Sequence, residues 1–308
     1  MLRSLPTGDD GDMTRRQAYP MLAIGVVAVG FAAVFIRLAY AALGRMEAPE
    51  GVLIAAGRLI LASLLVLPFG VKARPLQKTP GALLSAAFAG VFLALHFLFW
   101  ITSLAYTSIA ASTTIVTTGP VWIALAETFY FKKRLLPAAW AGIALAVLGG
   151  VLIGLADAGG EASGSRPLLG DLLALLGAWA VSLYFLLGRE AQRHLGTAGY
   201  VAVAYPAAAL FLLPLPWLFG EGYLGHPAAF YLWVFLLAAI PQGLGHTSLN
   251  YAVRALGPTL VSLFVLFEPV IASIAGYLFF GELPPAGVFA GALVLLAGVA
   301  LAVRAEGH

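Results

Sequence analysis

Ten apolar runs, each about as long as a membrane-crossing helix, follow one another through this 308-residue chain with little between them. They fall at about 20–41, 50–70, 81–105, 108–131, 136–156, 167–189, 198–220, 228–253, 258–280 and 285–304, parted by charges or by Pro and Gly clusters. A helix rises 1.5 Å per residue, so about 20 apolar residues cross a hydrocarbon core roughly 30 Å thick while satisfying every backbone polar group internally. The pattern predicts an all-α membrane protein with ten transmembrane helices. Composition agrees: 61% of residues are hydrophobic and 10% charged, with a mean hydropathy of +0.96, whereas about 25% of a soluble domain is charged. Only Tyr106, Thr107 and Ser108 mark the junction between the third and fourth runs.

No stretch is long enough for a separate soluble domain. The net charge is +3 and the cations are scattered between apolar runs, so no nucleic-acid partner is indicated. With no cysteine, disulfides, thiolate metal sites and cysteine nucleophiles are excluded. Residues 1–19 read as a cytoplasmic N-terminal tail, with Arg3, Arg15 and Arg16 beside Asp9, Asp10 and Asp12. The run that begins at Pro20 is followed by more membrane-like chain. It reads as a first retained helix rather than a signal peptide, and Arg15-Arg16 as its anchor rather than an export signal.

Lysine and arginine flanking a span are retained in the cytoplasm. With the N-terminus inside, Arg3, Arg15, Arg16, Lys72, Arg74, Lys78, Lys132, Lys133, Arg134, Arg189, Arg193, Arg254 and Arg304 are cytoplasmic, and only Arg45 and Arg166 lie outside. Arg37 and Arg58 fall within spans. Both termini are then cytoplasmic, in a multi-pass protein of the plasma (inner) membrane.

The chain also repeats itself. Ser103-Leu104-Ala105-Tyr106 reappears as Ser248-Leu249-Asn250-Tyr251. From Gly119 to Val151 and from Glu268 to Ala300 the register is a constant 149 residues, pairing Pro120 with Pro269, Phe131 with Phe280, Gly142 with Gly291 and Gly149 with Gly298. One such pair is easily chance; a gap-free series is not. Each half, 20–156 and 167–304, therefore holds five helices, and an odd number forces the halves into the bilayer in opposite directions. The basic triplet Lys132-Lys133-Arg134 aligns with Gly281-Glu282-Leu283, as expected if one faces in and the other out. Two inverted five-helix repeats around a central cavity is an architecture used for alternating access near the midplane.

These segments resemble the two EamA-type repeats of the drug/metabolite transporter superfamily over about residues 20–304, through Glu268-Pro269-Val270, the helix end Phe279-Phe280-Gly281-Glu282 and the glycine-bearing last helix. The resemblance implies ten helices in inverted halves and ATP-independent transport of small metabolites, frequently export of amino acids; one branch exports aromatic amino acids, towards which the tryptophans incline the reading. The chain departs from the family pattern where Gly119 stands opposite Glu268, and where Lys132-Lys133-Arg134 replaces a Gly-Glu pair. A symmetric two-carboxylate mechanism is weakened accordingly.

Polar side chains at membrane depth are costly and face the bundle interior or a cavity. Gln242, His246 and Asn250 recur every four residues, which keeps them on one face of a regular helix. His96, Trp100 and Ser103 share a face in the first half; Thr114, Thr118 and Trp122 follow the same interval, and Trp179 lies near Ser182. Together these are expected to line a substrate cavity: His96, Trp100, Ser103, Thr118, Trp122, Trp179, Gln242, His246 and Asn250. The competing structural reading is that hydroxyls and amides merely bond neighbouring helices and tryptophans merely pack; it is favoured for Ser and Thr, and is weaker for the histidines, whose bulky, titratable rings avoid lipid.

Arg58 lies too deep to be a loop charge and needs an acceptor, for which Glu268 or carbonyls freed by a broken helix are candidates. Glu268 reads either as a proton-titrating coupling residue or as a structural acceptor beside the kink that Pro269 imposes. Pro120 is expected to act likewise, and Pro241-Gln242-Gly243 gives a second break, so Pro120, Pro241 and Pro269 are the expected hinges. Arg37 and Glu127 can snorkel from span ends and are given no function. Gly287, Gly291 and Gly298, with Gly142 and Gly149, mark close helix packing, between the halves or in a homodimer. No nucleophile elbow, zinc motif, P-loop or dinucleotide fingerprint is present. The expectation is a carrier without cofactor or metal, whose partners are a small-molecule substrate and the bilayer, as monomer or homodimer. Less favoured are export of drugs or nucleosides, a lipid-processing enzyme using His96 and His246, and a receptor.

Overall fold

The computed structural model describes residues 15–72, 80–132, 135–158, 165–256, 261, 264, 265 and 267–306. It is 87% helix, and no strand occurs among the described residues. In chain order the helices are α1 (Arg15–Gly30), α2 (Ala32–Leu43), α3 (Ala48–Lys72), α4 (Pro80–Ser103), α5 (Ile109–Val116), α6 (Gly119–Phe131), α7 (Pro137–Ala158), α8 (Pro167–Leu212), the single turn α9 (Leu215–Leu218) and α10 (Ala228–Leu237). A π-wound segment (Ala238–His246) follows, then α11 (Thr247–Leu256), α12 (Glu268–Phe280) and α13 (Ala286–Glu306). The stretches Ala18–Leu43, Ala48–Pro68, Pro80–Ser103, Pro167–Leu218 and Ala228–Leu256 are long and apolar enough to cross a bilayer; Ile109–Ile123, Pro137–Ile153, Glu268–Phe280 and Ala286–Ala302 are shorter apolar helices. Of the expected tail, residues 1–14 lie outside the described residues and 15–19 are already helical; Arg74, Lys78, Lys133 and Arg134 also lie outside them.

Several expected spans are interrupted, each for a local reason. The first breaks at Phe31, between α1 and α2. The fourth is two helices, because Pro120 does not kink a continuous helix as the sequence suggested; it stands in the first turn of α6, where its missing N–H costs nothing. The turn before it is held by hydroxyls, Thr117 Oγ1 donating to the Thr114 carbonyl (2.9 Å) and Thr118 Oγ1 to that of Ile115 (2.7 Å). Pro269 takes the same early position in α12.

The sixth and seventh runs are the two helical arms of α8, which meet at Gly196, where the backbone is not helical (φ 68°, ψ 172°). Tyr184 and Tyr200 would lie about 24 Å apart along a straight helix, yet their ring centroids are 5.9 Å apart. The chain thus doubles back at Gly196, whose missing Cβ permits the positive φ. α4 packs along both arms: Gly90 meets the Ala204 carbonyl on one, and His96 and Trp100 meet Gly177 on the other.

α7 and α13 lie against each other through small residues. A Cβ on Gly142 would meet the backbone of Ala302 and Gly298; one on Gly149 would meet Leu295; one on Gly291 would meet Ile153 and Gly149. As the α7 number rises the α13 number falls, so the pair is antiparallel. This places the glycine face within one chain rather than between two. Arg37 does not snorkel: Nη2 donates to the Thr107 carbonyl (2.7 Å) and Nη1 lies 3.5 Å from Glu282 Oε2. Glu282 Oε1 accepts the Ile109 N–H (2.6 Å), so α2, the start of α5 and the α12–α13 loop meet at one carboxylate. At the nearby loops Arg45 bonds Glu221 (2.7 Å) and Glu50 (3.1 Å), and the bond to Glu221 raises the Arg45 guanidinium above its ordinary value.

Candidate functional site

A cavity opens among α4, α5, α6, the first arm of α8, the π segment, α11, residues 261 and 265 and the start of α12. Its polar wall is His96, Trp100, Thr117, His246 and Glu268; its apolar wall is mainly aliphatic, with Val116, Ile123, Val181, Leu249, Val253, Val261 and Val265 beside Phe185 and Pro120. His96 stacks on Trp100 (6.0 Å between centroids, 15° between planes), and its Nδ1 lies 2.9 Å from the Gly177 carbonyl. A carbonyl only accepts, so Nδ1 carries the hydrogen and the neutral ring keeps Nε2 as an acceptor. Both readings of this histidine therefore meet in it: a backbone bond fixes the ring that lines the cavity. His246 sits edge-on to Phe97 (5.3 Å, 87°).

Behind this wall Arg58 of α3 is completely buried. Neither acceptor named from the sequence bonds it. Its Nε and Nη2 both donate to Gln242 Oε1 (3.1 and 2.8 Å), and its Cζ lies 3.7 Å over the Phe97 ring, within cation–π range. Among the described residues it makes no ion pair with Glu268. Gln242 reaches Arg58 from the π segment, where Pro241 lacks the N–H that a regular α ladder requires.

That wider winding also dismantles the expected stripe. Gln242 turns to Arg58, His246 to the cavity, and Asn250 to Tyr184, whose hydroxyl accepts from Nδ2 at 3.1 Å. Ser103 bonds Ser112 Oγ and the Trp100 carbonyl, both at 2.6 Å, and stands outside the lining. Thr118 Oγ1 accepts the Trp122 N–H (2.9 Å), and Trp122 is edge-on to Trp179 (5.3 Å, 79°), which is 43% exposed on the outer surface. Of the nine expected lining residues, then, His96, Trp100 and His246 meet at the cavity, Gln242 stands behind it, and the others stand apart from its lining. Phe97 and Tyr184 were missed; they stand one and two residues after His96 and Ser182, off the faces those residues mark, so helical spacing gave no signal for them.

Comparison with known proteins gives one family model, the EamA-like transporter family, matching residues 16–155 and 168–304. The uncharacterized transporter YdfC of Bacillus subtilis (strain 168) is 26% identical over 193 residues, covering 62% of this chain and 61% of the relative. A probable terminal-alkyne amino-acid exporter of Streptantibioticus cattleyicolor is 26% identical over 190 residues, 62% of each. The chain thus spans about three-fifths of the length of these curated relatives. A protein of known crystal structure superposes with a TM-score of 0.62 at 19% identity, covering 94% of this chain and 97% of that one, which shows a shared fold.

Proposed function

We propose, from the premise that this chain belongs to the EamA-like transporter family and is a multi-pass membrane transporter rather than an enzyme, that it exports amino acids by alternating access. The observation that carries the reading is a cavity inside the helical bundle with His96, Trp100, His246 and Glu268 in its wall. Its walls come from both halves of the sequence, so rocking one half against the other would open the cavity to each side in turn. Ten spans in two inverted halves, 20–156 and 167–304, with both termini cytoplasmic, complete the scheme. Pro120 lines the cavity, Pro269 follows its Glu268 and Pro241 lies five residues before its His246; the scheme takes these breaks as hinges.

Branched aliphatic side chains dominate the apolar wall, which suits an amino acid with an aliphatic or slim apolar side chain at least as well as an aromatic one. The Streptantibioticus relative is named for an amino acid whose side chain ends in an alkyne, consistent with that wall. Counterflow of labelled amino acids in proteoliposomes tests the proposal. Replacing His96 or His246 by Ala should lower flux at least about tenfold while the protein stays folded. Wild-type flux in both variants removes the cavity from the mechanism.

A further inference from the structure

Among the described residues three buried polar atoms near this cavity lack a well-formed hydrogen bond: Arg58 Nη1, Gln242 Nε2, which lies beside the Tyr205 hydroxyl, and Trp100 Nε1. All three are donors. They belong to one connected cluster, since Gln242 Oε1 is bonded to Arg58, Arg58 lies on Phe97, and the Phe97 and Trp100 rings are 6.3 Å apart. An unpaired guanidinium at membrane depth is costly, and a side-chain dipole and a ring face offset only part of that cost. The cluster is thus several acceptors short, and the charge of Glu268 acts on it only from beyond ion-pair distance. Glu268, the acid in the cavity wall, makes no ion pair with Arg58 among the described residues.

We infer that Arg58 and Gln242, which stand behind the cavity wall, form with Trp100 of that wall a carboxylate-binding site, and that the transported solute brings the anion. A carboxylate supplies one negative charge and two oxygens with about four acceptor positions, which matches a guanidinium edge plus neighbouring N–H groups. The inference deepens the amino-acid reading and rests on it: it names the group by which the solute is held and disfavours amines and cationic drugs that carry no carboxylate.

Thermal unfolding of the full-length protein in detergent micelles, with L-leucine, L-phenylalanine and their carboxamides as probes, tests it, because a ligand of the folded state raises the midpoint with its affinity. At least one acid should shift the midpoint at a concentration about tenfold or more below its amide. Trp100→Phe keeps a ring against His96 and removes the N–H; it should weaken the acid about tenfold and the amide less, because the bond to a carboxylate is charge-assisted. Gln242→Glu places a carboxylate on the guanidinium, so the variant should unfold no lower than wild type without ligand and lose its response to acids. Equal shifts by acid and amide in the wild type, or a full acid response in a folded Gln242→Glu, overturn the site even if flux persists. No shift by either acid overturns the site and the amino-acid reading together. Acid binding without flux in proteoliposomes overturns transport and leaves the carboxylate site standing.

Discussion

Lys132 is the one residue other than glycine found with a positive φ among the described residues (58°), and its partner in the 149-residue register, Gly281, has φ 65°. Both end a helix with the same left-handed turn, a position glycine fills without a Cβ clash and an L side chain fills at a cost. Lys132→Gly should therefore raise the unfolding free energy by about 1 kcal/mol, read as a small rise in Tm of the purified protein. An unchanged or lower Tm would show the turn to be differently wound. Arg58 shows how far residue-scale reading of the sequence reaches. That a cation so deep needs an acceptor was legible from its position alone. That the acceptor is Gln242 was not, because it depends on a π winding that Pro241 and Gly243 permit without dictating. Trp179 failed for another reason: lipid and protein interior both accept apolar side chains, so an apolar helix does not announce which face it turns outward.

Between elements, the legible signal was glycine. In an apolar chain, the spacing of Gly142, Gly149, Gly291 and Gly298 marks close approach without saying what approaches. The structure supplies the answer, α7 against α13, with a Cβ at Gly298 falling 2.7 Å from the Gly142 carbonyl and 2.9 Å from the Ala146 Cα. Backbone cannot move aside as a flexible side chain can, so even one methyl forces the helices apart. Gly298→Ala should destabilise by about 1–3 kcal/mol, lowering Tm, while Gly222→Ala, in a loop with open space around it, should leave Tm nearly unchanged. A Gly298→Ala protein as stable as wild type would contradict the antiparallel contact. The helix breaks were half legible: Pro120 and Pro269 announced discontinuity, but the sequence read them as mid-helix kinks, whereas each starts a helix.

For the whole molecule, the contacts of α7 and α13 carry a further regularity. Adding 149 to the α7 member of a pair and subtracting it from the α13 member turns Gly142/Ala302 into Ile153/Gly291, Gly142/Gly298 into Gly149/Gly291, and Ala146/Gly298 into Gly149/Leu295, and all of these pairs are in contact. A contact set that maps onto itself under exchange of halves is what a two-fold axis between them produces. For two equivalent antiparallel helices that axis runs across the helices, which is the symmetry that the proposed inverted duplication requires. The scheme makes a topological demand, because Lys132 and Leu283 lie at closely corresponding places in the two halves, two residues apart in the 149-residue register, and both are exposed. The chain has no cysteine of its own, so Lys132→Cys and Leu283→Cys each introduce a single reactive thiol. In intact cells a membrane-impermeant maleimide should label Leu283→Cys and should reach Lys132→Cys only after permeabilisation, following the basic residues held inside. Labelling of both thiols from the same side would break the inverted arrangement, and with it the rocking of opposed halves on which export through this cavity depends.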